Sequence, residues 1–280
     1  MKLTEGVRSQ QLALFQDKEV FPLRIFAVPA ALLLACCVYL PLPRAREGLD
    51  AALRRLYAPF ARAFTRKNGQ TDDMPALLVC LLILGGVLLP LAALHPVIAT
   101  VLMVPAFTGL SALPPGARVK DELDSGKYAR DIPAYEALVR ETCRSLAPAF
   151  VSGIAAPMIL CAAGMPLYLG PSLGLGYTLL CALAPQAPAA ARIAAAVQRV
   201  AERVFCAFML LCAGAVGRNP LRTRGHGAQG RLLSILGIAG DGADTHAPMA
   251  GDIPQGIFLC GFASFILCFT LCAVGFVLCR

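Results

Sequence analysis

Residues able to do chemistry gather in three charged stretches. The first, VKDELDSGKYARDIPAYEALVRETCRS, holds Asp124, Lys127, Arg130 and Asp131. Two cations flanked by carboxylates can position an anionic substrate, although such balanced charge is also the mark of a solvated helix. The second, RNPLRTRGHGAQGR, sets Arg218, Arg222, Arg224 and Arg231 around Gly225, Gly227 and Gly230. Glycines let backbone amides approach a phosphate and arginines offer bidentate forks, yet the GxxxxGK[ST] spacing of a P-loop is missing. A basic loop lying on an anionic leaflet explains the same residues. The third, GDGADTHAPMAGD, contains Asp241, Asp244, His246 and Asp252. Carboxylates such as Asp241 and Asp244 can share Mg²⁺ with phosphate oxygens; a polar turn with an N-cap aspartate is the competing reading.

The elements that must position these residues are unusual for a soluble enzyme. Of 280 residues 58% are hydrophobic and 15% charged, where soluble domains carry ~25% charge. Mean hydropathy is +0.68. Such a chain uses the bilayer as part of its solvent, and the expected fold class is all-α: a polytopic membrane protein with five to six membrane segments and basic amphipathic helices.

Charge-free runs give the candidate segments. Residues 25–43 are just long enough to cross a hydrocarbon layer of ~30 Å, and without an A-x-A site the run reads as a retained span rather than a cleaved leader. Residues 74–117 cover about two spans and are interrupted at His95-Pro96, which predicts a helical hairpin. Residues 145–191 are again about two spans long but are broken by Pro148, Pro157, Pro166, Pro171, Pro185 and Pro188, so this part is a hairpin or a re-entrant pair. Residues 253–279 form a closing span.

The formal charge of +8 is carried mostly by the intervening connections 44–73, 118–144 and 187–252. Basic connections collect on the cytoplasmic side, so the excess reports topology in a cell inner membrane and not nucleic-acid binding. All three share one face if 145–191 crosses twice, making residues 1–280 one membrane domain with an N-terminal tail, 1–24, outside. Two segments read as interfacial amphipathic helices: one with Leu49, Leu53, Leu56 and Phe60 on a side, the other with Ile193, Val197, Val200 and Val204 opposite Arg192, Arg199 and Arg203. Of twelve cysteines, ten lie in apolar runs, where a thiol packs as a small hydrophobe; CxxC, HxxxH and HExxH spacings are absent.

This order of elements resembles the adenosylcobinamide-phosphate synthase family of cobalamin biosynthesis. DELDSGKYAR is similar to the family's L-x-x-G-D-L-x-x-A-R element at Gly126, Ala129 and Arg130, and FVSGIAAPM to its N-x-x-D-G-x-x-A-P-L element at Gly153, Ala156 and Pro157. Gly164-Met165-Pro166 resembles its G-x-P-G turn, and AARIAAAVQRVAERV its A-A-R-x-D-D-x-x-N-x-x-P-A-R segment at Ala191, Arg192 and Arg203. The likeness covers roughly 45–275. Departures are concentrated at acidic positions: D-x-x-x-G-D-P and V-G-R-D-T have no counterpart, E-S-x-A-E-N reads Arg144 to Ala149, and the D-D pair is Ala194-Ala195.

The resemblance implies a ligase that joins an aminopropanol, or its phosphate, to a corrinoid carboxylate as an amide, with ATP and Mg²⁺. On that reading Arg130, Asp124 and Asp131 are catalytic candidates, Lys127, Arg192, Arg203, Arg222 and Arg224 bind substrate, and Asp241 and Asp244 hold the metal. Loss of acidic positions keeps two other classes open. One is a non-catalytic accessory or signalling relative of the same fold; the other is a transporter component using the broken 145–191 segment as a midplane site.

Overall fold

The structure, a computed structural model, describes residues 26–39, 41, 42, 44–64, 73–108, 110, 113–125, 131–215, 227–238 and 246–278. Among the described residues it is all helix, without a strand. Outward-facing side chains explain the composition: Leu33, Leu82, Phe265 and Phe269 are each about two-thirds exposed, so the apolar helices are greasy on the outside as well as inside. Helices hydrophobic all round belong in lipid.

Helix α1 (Ala27–Tyr39) buries Ala27, Ala31, Ala35 and Tyr39, one residue every turn. Its thirteen residues rise only ~20 Å, short of the ~30 Å that the sequence run promised. Helix α2 (Ala45–Ala63) is the expected amphipathic helix, with one change of face: Leu53 and Tyr57 are buried while Leu56 turns outward. Its Arg54 Nε donates to the Ala182 carbonyl at 3.1 Å.

Helix α3 (Asp73–Leu94) and α4 (Pro96–Met103, continued by a 3-10 turn Val104–Ala106) form the predicted hairpin. His95 is extended and its Nδ1 accepts from the Val97 amide at 3.2 Å, while Pro96 supplies a first helical residue that needs no donor. Helix α5 (Leu113–Asp124) follows.

The Pro-rich stretch takes the hairpin form of the two expected, with fewer breaks than its prolines suggest. Helix α6 (Ile132–Phe150) runs through a π turn (Val151–Ala155) into α7 (Ala156–Gly164) and a 3-10 turn (Met165–Leu167), so Pro148 and Pro157 do not break it. A proline ring clashes with the carbonyl four residues earlier, here Gly153, and the wider π turn at that point relieves the conflict. The real break is Tyr168, the only described non-glycine residue with left-handed backbone (φ 59°). Helix α8 (Gly170–Leu183) then returns along α7 at close range. A Cβ on Gly174 would lie 2.5 Å from Cys161 Sγ, and one on Gly164 would lie 2.7 Å from the Gly170 nitrogen.

Helix α9 (Pro188–Ala215) buries Ala190, Ala194, Ala201, Phe205, Met209 and Cys212, whereas Val200 is 60% exposed. Of the apolar side read from the sequence, Ile193, Val197 and Val204 are partly buried against the core. Helix α10 (Gly227–Leu236) packs on α6 and α9, and α11 (Asp252–Leu278) packs on the same two helices.

Among the described residues three helical stretches are long and apolar enough to cross a membrane: Asp73–Leu94, Ile132–Leu167 and Asp252–Val277. Three shorter apolar helices, Ala27–Tyr39, Pro96–Ala106 and Gly170–Leu183, coincide with the other expected segments. All described cysteines are free thiols, most of them buried.

Candidate functional site

Polar groups with long-range partners collect where the N-terminal half of α6 meets α10 and the start of α11. Asp131 caps α6, accepting from the Ala134 amide at 3.1 Å, and Pro133 occupies the first turn. One turn later the Tyr135 hydroxyl accepts from the Ala250 amide at 2.8 Å. Arg140 Nε donates to the Ile238 carbonyl at 3.2 Å. Both flanks of segment 239–245 are therefore tied to α6, within a turn and a half of each other.

At the α11 end Asp252 is buried, and both its oxygens are engaged. His246 Nε2 lies 2.9 Å from Oδ1, and the Met249 amide donates to Oδ2 at 2.8 Å. An ionised carboxylate only accepts, so the imidazole donates through Nε2. Asp252 thus closes a turn rather than offering an open ligand. Among the described residues no group of three or more His, Cys, Asp or Glu is placed to hold a metal.

A second junction lies at the other end of α10. Glu202 on α9 accepts from the Ala228 amide at 2.8 Å, satisfying a first-turn donor of α10. Gly227, at φ +72°, makes this possible, since a Cβ there would sit 2.6 Å from Glu202 Oε1. The ten residues of α10, ~15 Å of helix, thus link Glu202 at its start to Arg140 just past its end.

Of the residues expected to do chemistry, Asp124 is exposed and pairs with Lys120 on its own helix at 2.6 Å. This hydrogen bond and charge raise the Lys120 ammonium above the ordinary lysine range. Asp131 serves as the α6 cap. Arg192 and Arg203 are exposed on α9, three turns or ~16 Å apart, so they cannot grip one phosphate together. Among the described residues no hydrogen bond or ion pair joins Asp124, Asp131, Arg192 and Arg203 to one another. Lys127, Arg130, Arg222, Arg224, Asp241 and Asp244 lie outside the described residues. Tyr135, Arg140 and Glu202 were not singled out from sequence. Each is an ordinary residue of an amphipathic helix, and its partner is 115, 98 and 26 residues away respectively, so no local pattern marks it.

Compared with family models, with curated proteins and with solved structures, the chain matches none.

Proposed function

We propose that this chain is a multi-pass protein of the cell inner membrane with an adenosylcobinamide-phosphate synthase-like role, joining an aminopropanol (phosphate) to a corrinoid carboxylate at its cytoplasmic end. The observation that supports it is the double tie of Tyr135 to Ala250 and Arg140 to Ile238. It attaches the chain on both sides of Asp241 and Asp244 to the helix that begins directly after Lys127, Arg130 and Asp131. Two of the three chemically suggestive stretches therefore start from a common framework. On this reading the three long and three short apolar helices are six membrane segments, with 44–73, 118–144 and 187–252 in the cytoplasm.

Amide formation needs an activated acyl group and cationic stabilisation of phosphate and developing oxyanion charge. Arg130 would supply the latter, with Asp124 and Asp131 as the nearest acids. The ~16 Å between Arg192 and Arg203 suits a substrate as broad as a corrinoid better than one phosphate. Arg222 and Arg224 would meet phosphate. ATP, when bound, would activate the carboxylate, and Asp241 and Asp244 would hold its Mg²⁺, since Asp252 and His246 are already engaged with each other.

One observation favours a non-catalytic relative of the same architecture. The position of the family's acidic pair is Ala194-Ala195, and Ala194 is packed in the core. Complementation of a host lacking the synthase separates the two. Corrinoid-dependent growth that requires Arg130, tested with Arg130→Ala, supports the ligase; no rescue by protein verified in the membrane leaves the non-catalytic relative.

A further inference from the structure

A cleft of about 580 Å³ opens between α3, α8 and α9, away from the polar end just described. Its walls are leucines, including Leu82, Leu89 and Leu173, and its floor is opened by Gly85, Gly86 and Gly176. No atom lies within 4 Å of where a Cβ on Gly85 or Gly86 would stand, so the space is real. Cavities of this volume are in the range that holds ligands.

Along α8 the wall extends from Leu169 to Leu180, ~16 Å and most of the helix. Two polar groups interrupt it. Ser172 Oγ and the hydroxyl of Tyr177, a residue only 2% exposed, are buried without a hydrogen-bond partner. The Cys181 thiol, one turn from Tyr177, is a weak neighbour at best. Neither oxygen has surface open to the cleft, so the wall that a ligand would meet is apolar.

The end of α8 just past the cleft is marked by charge. Arg54 of α2 donates to the Ala182 carbonyl, two residues beyond Leu180. Around it the arginines 44, 46, 54, 55 and 62 outnumber Glu47 and Asp50. An amphipathic helix this basic attracts anionic headgroups.

We infer that this cleft holds one acyl chain of an anionic glycerophospholipid, with its phosphate at the α2 arginines. This site is independent of the ligase reading.

The test is native mass spectrometry of the purified full chain with phosphatidylglycerol and phosphatidylcholine of identical acyl chains. The wild type retains one phosphatidylglycerol under activation that strips phosphatidylcholine. Gly86→Phe fills the open space and lowers that occupancy about tenfold, while Arg54→Ala narrows the preference between the two lipids several-fold without abolishing binding. Glycerol phosphate, which has the headgroup charge and no chain, does not compete. Should Gly86→Phe lose monodisperse elution, Gly85→Leu fills the same space and carries the test. Equal retention of the two lipids, wild-type retention in the filled variants, displacement by glycerol phosphate, or a dimer mass that the filling abolishes would each overturn the assignment.

Discussion

Arg140 and Ile238 are 98 residues apart in sequence, yet the guanidinium Nε of one donates to the carbonyl of the other at 3.2 Å. That carbonyl lies beyond the last turn of α10, where helix acceptors have no partner of their own. A cation there satisfies the acceptor and complements the negative end of the helix dipole. Gly237, with φ +81°, ends α10, and the Arg140 contact anchors the chain leading toward Asp241 to the helix that begins after Arg130.

Replacing Arg140 with alanine removes this charged hydrogen bond from the carbonyl of Ile238, a buried residue. We expect a loss of ~1.5–3 kcal/mol, read by thermal unfolding in detergent, with Arg140→Lys recovering only part. Unchanged stability in the alanine variant would show that this contact does not hold α10 in place.

Tyr135→Phe tests the companion tie. The ring remains and only the acceptor for the Ala250 amide is lost, a change of ~1–3 kcal/mol if that amide finds no other partner. Hydrogen exchange at Ala250 reports it directly: protection should fall locally while the apolar helices keep theirs.

Gly227→Ala combines two conflicts, a left-handed backbone and a Cβ 2.6 Å from Glu202 Oε1. The backbone term alone costs ~1–2 kcal/mol. Glu202→Gln, which keeps an oxygen acceptor for Ala228, should cost much less than Glu202→Ala, for which loss of a cap is worth ~0.5–2 kcal/mol. Equal effects of the two Glu202 variants would count against the capping role.

The α7–α8 hairpin makes glycine substitutions sort by location. Gly174→Ala places a methyl 2.5 Å from Cys161 Sγ and should destabilise by ~1–3 kcal/mol. At Gly48 and Gly214 an added methyl would meet nothing within 4 Å, so alanine there should be neutral or stabilising by up to ~1 kcal/mol through helix propensity. Thermal midpoints of the three variants side by side check the ordering.

Much of the architecture is legible from residue types alone, because lipid removes the ambiguity that water leaves. Charge-free runs, the His95-Pro96 interruption and the closing apolar stretch each correspond to a helix or a helix boundary. The buried face of α9 is less legible: Ala190, Ala194 and Ala201 are buried, Ile193, Val197 and Val204 only partly so, and Val200 is exposed.

Prolines mislead as well. Pro157 alone cannot say whether a helix stops or widens, since that depends on whether neighbouring helices hold the two halves in line. The candidate site follows the same division. Amino-acid order determined which stretches are charged and which are apolar enough to cross a membrane, since both depend on local composition and solvent transfer. Tertiary structure decided that Arg140 meets Ile238, that Tyr135 meets Ala250 and that Glu202 caps α10. Such pairings are single hydrogen bonds between distant segments, and they exist only once apolar packing has brought the helices together.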